Sequence, residues 1–353
     1  MRSSEKKEDS GDNPSVKVAI RIRPLLPSES GFGNCVKVLT PSFLAREGGS
    51  DGVGANLEIG SGRRSTSLCL TPPNGSLTRS PPSSFTFDQV LPPSSTQREV
   101  YDACVKSLVE KCLSGYNATV IAYGQTGSGK TYTMLGRTDV EGEGGGDEGG
   151  CQEGIILRAM KNLFQELDRA KSAGDRVEED GSEVIFNYEV RVQCLELYGE
   201  DLRDLLVSPS EMASSGGAFG GEVPYRPPHL QIRDVIRKGA NDSTVESLVI
   251  GATEVKVEKA EDALLCLSQG IKRRVTGVTA MNAESSRSHV IMTVMVEQTT
   301  TTVHHHKKES ISLVEEEGGM VRTKEMEVKQ SKFHFVDLAG CERQKRTMAS
   351  NKR

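Results

Sequence analysis

Apolar residues recur along this chain with two periods, and the two alternate. Residues 16–22 (VKVAIRI) place Val16, Val18, Ile20 and Ile22 on one side and Lys17, Ala19 and Arg21 on the other, a period of two that predicts a strand. At Thr96 the sequence Thr-Gln-Arg-Glu sets Glu99 three residues on, where threonine and glutamate cap a helix start reciprocally. Val100, Cys104, Leu108 and Cys112 then follow at helical spacing, and Gly115 is placed to end that helix. Residues 117–123 (NATVIAY) read as a short buried strand. Helical spacing returns at Ile156, Met160, Leu163 and Leu167, and again at Ala260, Leu264, Leu267 and Ile271. Val184, Phe186, Tyr188, Val190 and Val192 alternate as a half-buried strand. Residues 290–296 (VIMTVMV) and 332–336 (KFHFV) are nearly continuous apolar runs of strand length, a pattern suited to a sheet covered on both faces. Strands alternating with helices predict a three-layer α/β/α domain.

Five stretches break the pattern. Residues 1–15 read as a disordered arm, and 44–83, 137–153, 208–228 and 299–331 as low-complexity surface inserts rich in Gly, Ser, Pro, Thr or charge. They leave roughly two thirds of the 353 residues, in the span 16–353, for one domain of the larger ordinary size. The hydrophobic fraction of 35% is low because polar residues and many of the 36 glycines gather in the inserts, so a wholly disordered chain is excluded. No apolar run approaches the ~18 residues of a membrane span and the N-terminus lacks a signal-like stretch, which predicts a soluble, intracellular protein. Eight scattered cysteines without a C-x-x-C pair suggest neither a zinc knuckle nor a redox motif. A net charge of -5 argues against generic nucleic-acid binding.

The chemistry concentrates at three places. Gly124, Gln125, Thr126, Gly127, Ser128, Gly129, Lys130 and Thr131 fit G-x-x-x-x-G-K-[ST], preceded by a β-branched strand and followed by a helix-compatible segment. Its glycines let the backbone turn tightly and aim N–H groups at phosphate oxygens. Lys130 supplies a cation for the β and γ phosphates, and the Thr131 hydroxyl is a hard oxygen ligand for Mg²⁺. Asp337-Leu-Ala-Gly340 follows the strand at 332–336, where an open α/β sheet presents ligands at its carboxyl edge. There Asp337 can hold the magnesium shell, and Gly340 lets an amide approach the terminal phosphate. The third place is the polar octet at 282–289, containing Ser285, Ser286 and Arg287, between a helix and the VIMTVMV strand. Read alone, that octet is also a helix end followed by a serine-rich turn.

With these residues in order, the chain resembles the kinesin motor domain. The resemblance rests on Ile20 to Leu25 (IRIRPL), 85–88 (FTFD), 115–118 (GYNA), the phosphate loop with Tyr132-Thr-Met134, Glu196-Leu-Tyr198 with Asp204-Leu-Leu206, the octet, and 337–342. Residues 111–136 with 296–298 look most like the chromokinesin branch. The resemblance implies that Arg21 and Pro24 flank an adenine with Tyr132 near it. It implies that Ser285 and Ser286 reach the γ-phosphate and magnesium, and that Arg287 pairs with Glu342 around the attacking water. ATP and Mg²⁺ would be the ligands, the microtubule the partner, and the cytoplasm and its cytoskeleton the location; cargo is not legible.

Two departures bear on this. Cys341 stands where the family usually has Ser, a nearly isosteric change that keeps the backbone amide. The chain stops at Arg353, whereas family members continue through a switch helix, further strands and a neck, so the reading is of an incomplete motor domain not expected to move by itself. Lys256, Lys259, Lys272, Arg273, Arg274, Arg343, Lys345 and Arg346 are the candidates for meeting an acidic tubulin surface. The competing expectations are a non-motile, nucleotide-dependent microtubule-binding or regulatory module, and an unrelated P-loop ATPase or GTPase. The octet disfavours the last.

Overall fold

The computed structural model describes residues 16–31, 36–39, 65–70, 83–137, 153–178, 181–207, 230–238, 243–276, 287–307 and 320–342. They fall into two compact units divided after Thr96.

The first unit is a four-stranded sheet of β1 (Ala19–Arg21), β2 (Val36–Leu39), β3 (Ser65–Leu70) and β4 (Ser83–Leu91) in the order β1-β4-β3-β2. β1 runs parallel to β4, with Ile20 opposite Val90 and Arg21 opposite Leu91. The expected strand at 16–22 is reduced to these three residues, and Val16 and Val18 are exposed. The Val18 amide instead donates to the Asp88 carboxylate at 2.7 Å. After β1, Arg23 grips Glu29 with both guanidinium arms at 2.7 and 2.5 Å. That fork, with the Leu26 amide, pulls the Glu29 carboxyl down to about 2.

The second unit is built on a mixed sheet. Its long members are β7 (Glu183–Tyr198), β12 (Ser288–Lys307) and β13 (Met320–Asp337), flanked by β5 (Ala118–Ala122) and β11 (Val255–Val257) in the order β11-β7-β12-β13-β5. Short strands β6 (Arg176–Val177) and β8 (Asp201–Asp204) pair with β7, while β9 (Gln231–Lys238) and β10 (Ser243–Ile250) form a separate hairpin. Among the described residues, five helices accompany the sheet: α1 (Gln97–Cys104), α2 (Lys106–Leu113), α3 (Lys130–Leu135), α4 (Ile155–Gly174) and α5 (Ala260–Thr276). The expected single helix after Thr96 is thus two, kinked at Val105 (φ -121°), whose amide still bonds the Tyr101 carbonyl at 2.9 Å.

The α/β class follows from the periodicities: α4 buries Ile156, Met160, Leu163 and Leu167 at helical spacing. α4 contacts each of the other four helices as well as β7, so the described helices gather on one face. Val190 and Val192 of β7, Met292, Val294 and Val296 of β12, and Phe333 and Phe335 of β13 fill that face. The other face is less covered: Ile291, Met295 and Val336 are only half-buried among the described residues. Among the described residues, the apolar runs at 290–296 and 332–336 are thus buried on the helix-covered face and buried or half-buried on the other. β5 is less buried than expected, with Ile121 and neighbouring Tyr123 exposed.

Two of the expected inserts carry strands. β3 lies within 44–83, and most of 299–331 belongs to the β12–β13 hairpin, paired from Val290 with Asp337 out to Lys307 with Met320. The physical reason is threonine. The run Thr299 to Thr302 is low in complexity but β-branched, which suits a pleated, half-buried surface. Residues 1–15, 138–152 and 208–229 lie outside the described residues. Among the described residues, no helix is long and apolar enough to cross a membrane.

Leu167 is fully buried at the centre of the helical layer. Leu167→Ala is expected to lower unfolding free energy by about 2–5 kcal/mol, read as a lower denaturant midpoint with an unchanged slope.

Candidate active site

Parallel pairing of β5 with β13 sets Ala122 opposite Asp337, so the segments leaving both strands start side by side. Two backbone bonds extend the contact: Leu338 N–H to the Ala122 carbonyl and Cys341 N–H to the Gly124 carbonyl, both 3.3 Å. The loop from β5 into α3 turns through left-handed backbone at Gly127 (φ 77°) and Gly129 (φ 96°), which residues with a Cβ rarely adopt. Its Ser128 amide closes on the Gln125 carbonyl at 3.1 Å. The Lys130 ammonium lies along the loop, donating to the Gly124 carbonyl at 2.9 Å and the Gln125 carbonyl at 3.0 Å.

Thr131, the next residue, donates its hydroxyl to Asp337 Oδ2 at 2.6 Å. The other oxygen of that carboxylate, Oδ1, is buried and has no hydrogen-bond partner among the described residues. An ionised oxygen without a donor beside a hydroxyl is an arrangement that a hard divalent cation completes. Thr131 and Asp337 therefore fit Mg²⁺.

Gly340 is packed against Thr126 of the loop between β5 and α3. A Cβ there would lie at 2.5 Å or less from both Glu342 carboxylate oxygens and the Thr126 hydroxyl. The Glu342 carboxylate accepts from the Thr126 amide at 3.0 Å and from the Thr126 hydroxyl. Those two donors, hydroxyl first, together with the charge of Lys130 hold the Glu342 carboxyl below its ordinary value. Cys341 keeps its amide on Gly124, and its exposed thiol meets the Tyr123 hydroxyl, pushing the phenol pKa up.

The other expected residues are less gathered. Arg287 is exposed at the mouth of β12, and among the described residues it forms no ion pair with Glu342, which is held by Thr126 instead. Ser285 and Ser286 lie outside the described residues. Tyr132 is half-buried, its carbonyl accepting from the Gln97 amide group at 2.7 Å. Arg21, in β1, and exposed Pro24 belong to the first unit.

Four residues that the motifs contain without an assigned role also hold this region together. Fully buried Ser288 donates to Glu196 Oε1 at 2.7 Å, and the second Glu196 oxygen lies 3.7 Å from Arg203. His289 accepts the Ala339 amide at Nδ1, 2.9 Å away. Asp204 caps the turn after β8, accepting from Leu206 at 2.8 Å and Thr253 at 2.6 Å. One signal for Glu196 was present: a carboxylate inside the apolar run CLELY needs a buried partner.

The sequence model of the kinesin motor domain matches residues 21–353. The chain belongs to the kinesin motor domain family. Kinesin-like protein KIN-4A of Arabidopsis thaliana is 35% identical over 344 residues, covering 95% of this chain and 26% of that protein. Kinesin-like protein KIF27 of Homo sapiens is 35% identical, with 94% of this chain and 18% of that protein covered. Chromosome-associated kinesin KIF4A of Homo sapiens is 32% identical, with 96% and 20% covered, and its presence supports the chromokinesin-like branch. This kinesin domain spans about a quarter or less of those relatives, 26%, 18% and 20% respectively. In three dimensions it is similar to the solved structure of a fast kinesin at TM-score 0.57 and 26% identity, covering 96% of this chain and 69% of that one.

Proposed function

We propose that this kinesin motor domain binds ATP with Mg²⁺, hydrolyses the terminal phosphoanhydride bond, and works on microtubules as a cytoskeletal motor in the cytoplasm. The observation carrying the proposal is the pairing of the Lys130–Thr131 loop with an Asp337 carboxylate that keeps one buried oxygen unpartnered. Phosphoryl transfer to water needs positioning and charge stabilisation more than covalent chemistry. Lys130 would leave its loop carbonyls for the β and γ phosphates, and the amides of Gly127, Ser128 and Gly129 would line the phosphate chain. Thr131, Asp337 and Ser286 would hold the metal, which neutralises phosphate charge when bound. The Gly340 amide would meet the terminal phosphate, while Ser285, Arg287 and Glu342 surround the attacking water. Tyr132 would lie near the adenine.

In that cycle the Glu342–Thr126 tie is one of two arrangements, and pairing with Arg287 is the other. Segments that order on a γ-phosphate and relax on its loss are a recurrent switching device.

For the microtubule, Lys259 and Lys272 are exposed. Lys256 is engaged with Glu189 at 3.0 Å, and Arg273 with the Leu205 carbonyl at 2.9 Å. Of the other candidates, the Arg274 side chain and residues Arg343, Lys345 and Arg346 lie outside the described residues. The distinguishing experiment measures phosphate release with and without polymerised tubulin. Stimulation by at least several-fold is expected. Tight ATP binding with no release in either condition would instead establish the non-motile binding module, and absence of ATP binding would remove both.

A further inference from the structure

Ser288 and His289 open β12, and the pleat of a strand sends consecutive side chains to opposite faces of a sheet. Ser288 is anchored inward on Glu196, itself 4% exposed, across to β7. His289 faces the other way and reaches the segment after β13. The β12–β13 ladder ends at the pair Val290 and Asp337. Beyond it, the hydrogen bond from Ala339 N–H to His289 Nδ1 at 2.9 Å continues the contact between the two chains.

The position of that bond gives it significance. Ala339 sits between Asp337, whose carboxylate takes the Thr131 hydroxyl, and Gly340, packed against Thr126 and Glu342. An imidazole gripping this peptide fixes both neighbours at once. A backbone N–H past the end of a ladder would ordinarily be satisfied by water; here a side chain from the neighbouring strand β12 takes it. Accepting at Nδ1 requires a lone pair there, so a neutral ring carries its proton on Nε2.

We infer that His289 is a positioning residue that ties the Asp337–Gly340 segment to the start of β12, with Ser288 on Glu196 as its fixed anchor. The inference deepens the nucleotide reading above and rests on it for its functional half. While the tie holds, the imidazole keeps Ala339 in place and with it the Gly340 amide, so that this amide is preset for a terminal phosphate.

Three substitutions test this. The side-chain oxygen of His289→Asn occupies roughly the place of Nδ1 and can accept the Ala339 amide; His289→Ala has no acceptor, and His289→Gln carries its oxygen one bond further out. Affinity for fluorescent ADP and for a fluorescent, non-hydrolysable ATP analogue is measured for each in the full chain. His289→Ala is expected to keep ADP affinity within about 2-fold and to lose roughly 5- to 10-fold for the ATP analogue, the loss of about one hydrogen bond. His289→Asn restores it to within about 2-fold and His289→Gln does not. If His289→Ala does not fold, the Asn and Gln variants decide alone. Equal behaviour of Asn and Gln, or equal losses for both nucleotides, overturns the positioning role. Hydrogen exchange at the Ala339 amide without nucleotide gives a separate readout. It should quicken in Gln and slow again in Asn, and identical exchange removes the tie whatever nucleotide binding shows. If the unsubstituted chain binds neither nucleotide, the functional reading falls while the exchange result still stands or fails by itself.

Discussion

Lys130→Ala is expected to weaken ATP binding by about 100-fold or more and to bring turnover to background. The ammonium is the cation that lies within the phosphate loop, and it rests on two carbonyls at 2.9 and 3.0 Å. A nucleotide triphosphate brings several negative charges to those glycines. Charge-assisted hydrogen bonds contribute about 1.5–3 kcal/mol each, and about 100-fold in affinity corresponds to about 2.7 kcal/mol. Removing the side chain also leaves two loop carbonyls facing one another without their shared donor, but water replaces it at this half-open position, so the fold survives. The measurement is a fluorescent-ATP titration beside thermal unfolding, with the midpoint expected within a few degrees of the unsubstituted chain. Lys130→Arg is the useful companion: it keeps the charge, but a planar fork cannot sit on both carbonyls as a rotating ammonium does, so binding recovers only in part. Unchanged ATP affinity in Lys130→Ala would remove the phosphate-loop assignment.

How much of this was legible beforehand depends on how local each feature is. The phosphate loop is a local object: left-handed backbone at Gly127 and Gly129 and the flanking strand and helix all lie within residues 118–135, so spacing alone exposes it. α4 and α5 are likewise local, because helical periodicity depends on near neighbours. Pairings across long separations are different. Ser288 meets Glu196 over 92 positions and Ala339 meets His289 over 50, and nothing in either segment states which partner the fold will supply. Strand length is intermediate. The Thr299–Thr302 run reads as an insert because its composition is simple, yet the same composition serves a β-ladder once β7 and β13 lie on either side. The Arg287–Glu342 pair, expected from the resemblance, is not formed among the described residues, where Thr126 occupies that carboxylate.

Gly340→Ala should separate binding from hydrolysis. The new methyl would fall at 2.5 Å or less from both Glu342 carboxylate oxygens and the Thr126 hydroxyl, so one of them must move. The Glu342 carboxylate is the far end of a flexible, exposed side chain and moves first, which keeps the cost to folding small. Lys130, Gly127 and Gly129 are untouched, so ADP affinity is expected within a few-fold of the unsubstituted chain. Hydrolysis, however, is expected to drop by about 100-fold or more, the scale of losing a preorganised donor to a charged transition state. Two causes would coincide: the Gly340 amide is held back from the terminal phosphate, and Glu342 leaves its place. Thr126→Val distinguishes them, because it removes the hydroxyl that holds Glu342 without adding an atom beside Gly340. It also relieves the main cause of the depressed Glu342 pKa. A carboxyl held low is ionised, and its tie to Thr126 intact, above the ordinary carboxylate range; the tie is lost as pH falls through the depressed value. With the hydroxyl gone, that loss should begin at a higher pH. Single-turnover phosphate release then decides the matter. A large loss in Gly340→Ala with a mild one in Thr126→Val assigns the effect to the amide, equal losses assign it to the carboxylate, and full turnover in Gly340→Ala would show that this segment does not sense the terminal phosphate.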